Sequence, residues 1–264
     1  MSEILVIGTA ERDTIIHTES RRLRSRLGGV GAIVAEELAR LNYHVTMLAP
    51  LGDDDSGAFA KQALSTLGID TIHPKVAKSA EYMVSTVKGE VQEPIIADFP
   101  TWEFKDLGSE ESLERLIDGS DLVVLDTSLS PNALMRIGEM ATPDFGVVVS
   151  DTYSSLFALA VQSIPNTFIS MNDLEANELR NMSSTRPRDF DTKYYMVTLG
   201  SSGWTVRTEG KWLSAVGPEV PAEADFNGVG DSAAAGLIHS IMSGNDQEKS
   251  INSAIRGRLE RNAD

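Results

Sequence analysis

Residues 225–236 read Asp-Phe-Asn-Gly-Val-Gly-Asp-Ser-Ala-Ala-Ala-Gly, a glycine-rich turn followed at once by small residues of helical character. A helix that starts directly after such a turn directs several backbone N–H groups, and the positive end of its dipole, at one point. Such a point binds anions. Asp231 falls in the first turn of this helix, where a carboxylate is favourable for the dipole alone. The stretch therefore predicts either an anion site or a helix start with a favourable charge.

Upstream of this turn, short apolar runs of strand length alternate with longer segments of helical period. This alternation is typical of a mostly parallel sheet covered by helices on both faces, so the predicted fold class is α/β. The predicted strands are 4–7, 45–48, 122–125, 147–149, 167–170 and 195–199, and the predicted helices are 32–41, 57–67, 112–117, 131–140 and 174–179.

The charge balance argues against large anionic partners. The 264 residues include 39 acidic and 23 basic side chains, and the net charge is −16. Nucleic acids and anionic lipid surfaces would have to be bound against this overall field. We therefore expect a small-molecule substrate, with no nucleic-acid partner and no membrane partner.

Cysteine is absent from the chain, which excludes disulfides, thiolate nucleophiles and zinc–thiolate sites. The first residues form only a short apolar run before charge returns at Glu11, unlike a secretory signal. No apolar stretch approaches the roughly 20 residues that a membrane-spanning helix needs. These features predict a cytoplasmic protein.

Two segments do not follow the alternation of strands and helices. Residues 14–27 are polar and rich in arginine, and residues 81–96 alternate like a hairpin with its turn near Lys88-Gly89. We expect both to form strands outside the main sheet. The arginine-rich segment is either a solvated surface strand or part of a lid over a cleft. The predicted organisation is a single domain over residues 1–264, with lid segments at about 14–27 and 81–98.

Two glycine-containing junctions near the N-terminus are suited to ligand binding, and each has a purely structural alternative. Gly28-Gly29-Val30-Gly31 allows a close backbone approach to a ligand, or simply joins a strand to a helix. In residues 51–57, Asp55 or Ser56 is suited to capping the following helix.

Two later junctions have the same ambiguity. Asn172 and Glu175 are spaced as a helix capping pair, and the same two side chains are suited to organising a hydrated magnesium ion. The Gly/Ser turn at residues 198–203 either joins a hairpin or contacts nucleotide phosphates.

In sequence and in order, these junctions resemble those of the PfkB (ribokinase-like) family of carbohydrate and nucleoside kinases. Residues 28–57 are similar to the N-terminal signature of the family, Asn-Asp-Leu-Glu at 172–175 to its Asn-x-x-Glu motif, and residues 225–236 to its C-terminal signature. The resemblance covers nearly the whole chain. It implies a ribokinase-like three-layer α/β/α fold with a small β lid, and an enzyme that uses ATP and Mg²⁺.

The resemblance also implies roles for the residues that match the motifs. Asp231 would be the general base, and the amides of Gly228, Val229 and Gly230 would stabilise the transferred phosphoryl group. Val229 stands where the family usually has alanine, but it keeps the amide. The remaining assignments are Asn172 and Glu175 for the magnesium–water shell, Thr198, Gly200 and Gly203 for the nucleotide, and Asp225 for a monovalent cation such as K⁺ in some members.

For the acceptor, the resemblance implies that Asp13 accepts hydrogen bonds from sugar hydroxyls and that Gly28 and Gly29 let the backbone approach the sugar. Segments 28–31, 81–99 and 170–179 are most similar to pseudouridine kinases, which phosphorylate a ribose 5′-hydroxyl. Tyr82 and Phe99 are then candidates for packing against the base, although aromatic residues on strands often only form sheet surface.

Two departures from the family pattern keep other functions open. Ile33 stands where many sugar kinases of the family have a ligand-contacting asparagine, and the chain ends with a polar, arginine-rich segment at 251–264, which we expect to be a shortened helix beside a looser adenine pocket. The alternatives are a ribokinase-like or fructokinase-like enzyme, or a catalytically weakened homologue that only binds a sugar or nucleoside. A dinucleotide-binding enzyme is disfavoured because no Gly-x-Gly-x-x-Gly follows the first strand. The resemblance also implies a homodimer formed through the lid.

Overall fold

The computed structural model describes residues 2–87, 90–92, 94–140, 144–149, 168–182, 192–208, 210–221 and 224–263. In chain order the elements are β1 (Glu3–Ile7), β2 (Glu11–His17), β3 (Arg22–Gly28), α1 (Val30–Arg40), β4 (His44–Leu48), α2 (Asp55–Thr66), β5 (Asp70–Ile72), β6 (Ala80–Val87), β7 (Glu90–Val91), β8 (Ile96–Asp98), α3 (Glu110–Asp118), β9 (Leu122–Asp126), α4 (Pro131–Glu139), β10 (Asp144–Val148), β11 (Phe168–Asn172), α5 (Asp173–Met182), β12 (Tyr194–Thr198), β13 (Trp204–Thr208), β14 (Lys211–Ala215), α6 (Val229–Ser243) and α7 (Gln247–Ala263). Short 3₁₀ turns lie at Phe104–Leu107 and Gly200–Ser202.

Nine strands form the central sheet, in the order β14-β13-β12-β11-β10-β9-β1-β4-β5. The strands from β12 to β5 pair in parallel, and β13 and β14 extend the sheet as antiparallel edge strands. All six predicted strands are present in this sheet, and all five predicted helices are present as α1 to α5. Thr167, at the start of one predicted strand, lies outside the described residues. The α/β prediction is confirmed.

Helices cover both faces of the sheet because its strands are apolar on both sides. In β1, Ile4 and Val6 belong to a core shared with α1, α6 and α7, whereas Leu5 and Ile7 belong to a second core shared with α3 and α4. In the sheet, β4 lies on one side of β1 and β9 on the other, so the strand order reverses at β1. In such sheets ligands bind outside the carboxyl ends of the strands, where the strand order reverses.

A second, smaller sheet has the order β3-β2-β6-β7, with β8 paired to β6. The predicted strands outside the main sheet are therefore confirmed. The β2–β6 pair is parallel, and the others are antiparallel. Val87 and Glu90 face each other across the predicted hairpin, whose turn at Lys88-Gly89 lies outside the described residues. The single domain over 1–264, the lid function of this sheet and dimerisation through it remain predictions.

The C-terminal segment is helical and forms most of helix α7, which begins at Gln247. That the helix is shortened relative to the family, and that the adenine pocket is looser, remain predictions. Helix α7 spans 17 residues and packs along α6, with Ile251, Ile255 and Leu259 buried against it. Its polar residues Arg258 and Asn262 are buried as well, at 2% and 1% exposure. Within the described residues, no helix combines the length and apolar character needed to cross a membrane.

The cap of α2 was assigned to the wrong residue. Asp54, not Asp55 or Ser56, is the N-cap: its Oδ1 accepts from the Gly57 N–H at 2.8 Å, and its Oδ2 accepts from the Ser79 N–H at 2.8 Å. Burial alone would raise the pKa of Asp54, but these backbone hydrogen bonds hold it below its ordinary value. The extended backbone at Asp54 (φ −125°, ψ 174°) is the conformation that a cap requires.

Asp126, at the carboxyl end of β9, holds together the loops that meet at the strand-order reversal. Its Oδ2 accepts from the Thr9 N–H at 2.7 Å and from the Gly31 N–H at 3.0 Å, and its Oδ1 accepts from the Ser128 N–H at 2.9 Å. The side chain is 1% exposed, and burial raises its pKa even though these donors oppose the shift. One carboxylate thus ties the loop after β1 to the start of α1.

We expect Asp126→Ala to lower the free energy of unfolding by about 3 kcal/mol, because it leaves buried backbone N–H groups unpaired. Urea denaturation monitored by circular dichroism measures the effect. Glu139→Ala, which removes an exposed carboxylate at the end of α4, should change stability by less than about 0.5 kcal/mol. Equal stabilities of the two variants would contradict this role of Asp126.

Candidate active site

The glycine-rich turn before α6 is formed by a left-handed glycine and backbone hydrogen bonds. Gly228 has φ 77° and acts as N-cap without a side-chain cap. Val229 N–H donates to Phe226 O at 3.2 Å, and Ser232 N–H donates to Gly228 O at 3.0 Å. The Val229 amide, one of the three predicted phosphoryl donors, is thus engaged within the turn. The amides of Gly230 and Asp231 lie in the first turn of the helix, where N–H groups precede the intrahelical ladder.

Only glycine fits at position 228. A Cβ there would lie 2.7 Å from Ile33 Cδ1 and 2.8 Å from Arg258 Nη2, and the positive φ would strain any other residue. The turn therefore packs tightly against α1 and α7, which fixes the direction in which its amides point.

A cavity of about 460 Å³ opens in front of this turn. The structure brings together around it all of the residues predicted for phosphoryl transfer and nucleotide binding, from four different strand ends and helix starts. These are Asn172, Glu175, Thr198, Gly200, Gly203, Gly228, Val229, Gly230 and Asp231. Ile255 and Leu259 of α7 add apolar wall to the same cavity.

Asn172 and Glu175 form the capping pair that their spacing allows, and they also line the cavity. Glu175 N–H donates to Asn172 Oδ1 at 2.8 Å, and Asn172 N–H donates to Glu175 Oε2 at 2.6 Å. Capping and ligand binding are therefore compatible here, because the cap holds the Glu175 carboxylate at the cavity wall.

A second cavity, of about 160 Å³, lies between the two sheets. Four residues predicted for the acceptor line it: Asp13, Gly29, Tyr82 and Phe99. The Tyr82 and Phe99 rings stack with centroids 5.7 Å apart and planes at 27°. Ile33 also lines this cavity. It places an apolar group at the position where many sugar kinases of the resembled family have a ligand-contacting asparagine.

Gly28 has a different place from the predicted one. It is absent from the residues that line the acceptor cavity, and a Cβ on it would lie 2.0 Å from Asp13 Oδ1. Gly28 therefore makes room for the Asp13 side chain and does not bring its own backbone to the cavity.

Glu11, which the sequence analysis did not single out, accompanies Asp13 in the acceptor cavity. The two residues lie at i and i+2 on β2 and so point to the same side of the strand, which is the pattern that could have identified Glu11. They are 5% and 2% exposed. Glu11 Oε2 and Asp13 Oδ1 have no hydrogen-bond donor among the described residues, whereas Asp13 Oδ2 accepts from Asn227 Nδ2 at 2.6 Å.

This acid pair shifts the protonation of both members. Burial and then the negative charge of Asp13 raise the pKa of Glu11 well above its ordinary value. Burial also raises the pKa of Asp13, although the charges of Arg26 and Arg258 oppose the shift. Burial and mutual repulsion therefore disfavour the ionisation of both groups together.

Arg26 of β3 and Arg258 of α7 contact the turn, and the sequence analysis noted their arginine-rich segments without assigning these contacts. Arg26 binds both oxygens of Asp225, with Nη2 to Oδ1 at 2.7 Å and Nη1 to Oδ2 at 3.2 Å. Arg258 donates from Nε to Asn227 O at 3.3 Å and from Nη1 to Glu36 Oε2 at 3.1 Å. Strand alternation puts the Arg26 side chain on the inward face of β3. The i, i+4 spacing puts Arg258 and Asn262 on the inward face of α7. Periodicity is therefore the pattern that identifies these arginines.

Asp231 lines both cavities, together with Val30 and Asn227. A carboxylate between two cavities, beside the N-terminus of a helix, can accept a proton from a hydroxyl in one cavity while the helix amides hold an anion in the other.

Comparison with known proteins agrees with this geometry. The sequence profile of the pfkB family carbohydrate kinases matches residues 1–256. The chain is 30% identical over 243 residues to the ATP-dependent ribose-1-phosphate kinase of Halopiger xanaduensis. The aligned region covers 88% of this chain and 78% of that protein.

Solved structures of similar fold include two kinases. Adenosine kinase from Sinorhizobium meliloti has a TM-score of 0.79 at 17% identity, covering 98% of this chain and 94% of that chain. Phosphofructokinase-2 from Escherichia coli, in complex with potassium, has a TM-score of 0.75 at 19% identity, covering 100% and 94%. At these identities the likeness shows the shared fold, and the profile match shows the family. The chain therefore belongs to the pfkB family of carbohydrate kinases, which transfer a phosphoryl group from ATP to a sugar or nucleoside.

Proposed function

We propose that this kinase transfers the γ-phosphoryl group of ATP to the ribose 5′-hydroxyl of a neutral nucleoside, as pseudouridine kinases do. The observation that carries the proposal is the position of Asp231 in the wall that the two cavities share. ATP occupies the larger cavity with its phosphates toward the turn at Gly228, and the acceptor occupies the smaller cavity with its hydroxyl toward Asp231.

Asp231 accepts the proton of the attacking hydroxyl. A carboxylate is a weak base, but a loose phosphoryl-transfer transition state needs little activation of the nucleophile before bond formation. The amides of Gly230 and Asp231 stabilise the charge on the transferred group, because preorganised donors act strongly where water is excluded. Positioning therefore contributes more than basicity.

The donor set beside the turn fits a hydrated magnesium ion. Mg²⁺ keeps several waters and binds proteins through few carboxylates. Glu175 and Asn172 line the nucleotide cavity and would hold the ion through its waters. When bound, the ion neutralises negative charge on the phosphates of ATP.

The acceptor cavity favours a neutral polyol that donates hydrogen bonds. Glu11, Asp13 and Asp231 line it, and the described residues around it include no lysine, arginine or histidine. Glu11 Oε2 and Asp13 Oδ1, which have no donor among the described residues, are suited to ribose hydroxyls. Tyr82 and Phe99 provide an apolar wall against which a base packs.

Ribose 1-phosphate is the second candidate acceptor, because the Halopiger xanaduensis relative that is 30% identical is a ribose-1-phosphate kinase. Its phosphate would meet the acids of the acceptor cavity, and none of the described residues that line this cavity is a lysine, arginine or histidine that could bind it. We therefore place it second.

A substrate panel tests the proposal. We expect magnesium-dependent ADP release with pseudouridine or another nucleoside, and little with ribose, fructose or ribose 1-phosphate, with the 5′-phosphate product identified by ³¹P NMR. Turnover of ribose 1-phosphate alone would select the second candidate. Calorimetric binding of a nucleoside without any ADP release would instead indicate a binding homologue that has lost activity.

Asp231→Asn should lower kcat by about 1,000-fold, since a positioned general base contributes roughly 100- to 10,000-fold. Nucleotide affinity, measured by calorimetry, should change little because the helix amides remain. Asp144→Asn, an exposed site at the start of β10, provides the matched control. Full activity of Asp231→Asn would refute its role as the base.

The raised pKa of Glu11 makes stability depend on pH. The unfolded chain releases the Glu11 proton near its ordinary value of 4.5, and the folded protein releases it only at higher pH, so the stability that Glu11 contributes is lost as pH rises through the raised value. Glu11→Gln keeps a neutral donor beside Asp13. The free energy of unfolding of this variant, relative to wild type, should therefore increase by about 1.4 kcal/mol per pH unit above the ordinary value, until Glu11 ionises in the folded protein. Urea denaturation between pH 5 and 8 checks this, and parallel curves would contradict it.

A further inference from the structure

Asp225 lies at the start of the phosphate-binding turn and is fully buried. Its Oδ1 accepts from Arg26 Nη2 at 2.7 Å and from the Asn227 N–H at 3.0 Å, and Asn262 Nδ2 lies 3.3 Å from the same oxygen. Its Oδ2 accepts from Arg26 Nη1 at 3.2 Å. Nitrogen donors of the chain thus surround this carboxylate.

Arg26 is itself held in a defined position. It comes from β3 of the small sheet, its side chain is only 15% exposed, and Nη1 also donates to Asn262 Oδ1. Asn262 in turn donates to Asp225 O at 2.7 Å and to Asn227 O at 3.1 Å. A guanidinium stays protonated in proteins, so the positive charge beside Asp225 is permanent.

These contacts do not fit a monovalent cation at Asp225, the role that the family resemblance implied for it. A potassium ion is bound by oxygen atoms that replace its hydration shell. Here the carboxylate oxygens face N–H donors, and a second cation would be repelled by Arg26 at close range. An ion could bind this carboxylate only by displacing Arg26.

We propose that Arg26 is a built-in cation that takes the place of potassium and positions the phosphate-binding turn. It acts through Asp225, which holds the backbone N–H of Asn227, while the Asn227 side chain holds Asp13 of the acceptor cavity. Arg26 is thus a positioning residue that connects the small sheet to both cavities. Its effect on the rate rests on the proposed function; its effect on cation dependence does not.

The wild-type enzyme gives the first test. Thermal denaturation, ATP binding by calorimetry, and ADP release are measured in potassium, sodium or tetramethylammonium chloride at equal ionic strength. We expect the melting temperature and the ATP affinity to be the same in all three salts, and kcat to agree within about twofold. Tighter ATP binding, or activation of about tenfold or more, that is specific to potassium would overturn the proposal.

Arg26→Met, which keeps an apolar stem and removes the charge, gives the second test. Asp225 is then a buried carboxylate without its cation. Without added cation, the kcat of this variant should fall at least about tenfold. Potassium should partly restore its kcat and raise its melting temperature and its ATP affinity. Arg24→Ala is the matched control, because Arg24 lies on the same face of β3 but donates to Asn262 O and not to Asp225. It should stay insensitive to potassium.

A double variant keeps the test decisive if Arg26→Met does not fold. Arg26→Met with Asp225→Asn removes both charges, and such neutral replacements of buried ion pairs are often tolerated. It should fold and respond equally to all three salts. An Arg26→Met protein with wild-type kcat and no response to potassium would contradict the positioning role. Melting and ATP binding need no acceptor, so a failure of the proposed function would leave these readouts intact.

Discussion

The hydrogen bonds that converge on Asn227 are the constraint on which the site depends. Its N–H donates to Asp225, its carbonyl accepts from Arg258 and Asn262, and its side chain donates to Asp13. The turn before α6 is therefore tied to β2 and β3 of the small sheet and to α7 at once. Because a glycine-rich turn has high conformational freedom by itself, such external bonds are what keep its amides aimed at one point.

Buried ion pairs lie around this turn and help to fix its position. Arg258 binds Glu36 at 3.1 Å and Arg26 binds Asp225 at 2.7 Å, both with little exposure. The desolvation of buried pairs offsets much of their attraction, so their contribution is mainly the placement of charge. Burial lowers the pKa of Arg258 while the charges of Glu36, Asp13 and Asp231 favour its protonated form. Arg26 and Arg258 are thus paired within the protein, whereas Glu11, Asp13 and Asp231 line the smaller cavity.

Prediction from the sequence succeeded where a pattern is local. Apolar runs such as 122–125 predicted strands because a strand buried on both faces has to be apolar throughout. The three-residue spacing of Asn172 and Glu175 at a helix start predicted a capping pair or a magnesium site, and the capping pair is present. Prediction failed at the cap of α2, which is Asp54, and at Gly28, which makes room for Asp13 on the neighbouring strand. It missed Arg258, whose ion-pair partner Glu36 is distant in the chain. Glu11 was missed although it and Asp13 lie at i and i+2 on β2, because the sequence does not show that this side of the strand lines a cavity.

The sequence by itself determined the alternation of strands and helices, the glycine turn at 225–231 and the order of the motifs, because these follow from periodicity, backbone freedom and dipole direction within one segment. Only the tertiary structure decided that Asp231 lies between two cavities, that Glu11 and Asp13 share a buried pocket, and that Arg26 neutralises Asp225. These are contacts between residues far apart in the chain. Their energies depend on burial and on distances of a few ångströms, which no local pattern encodes.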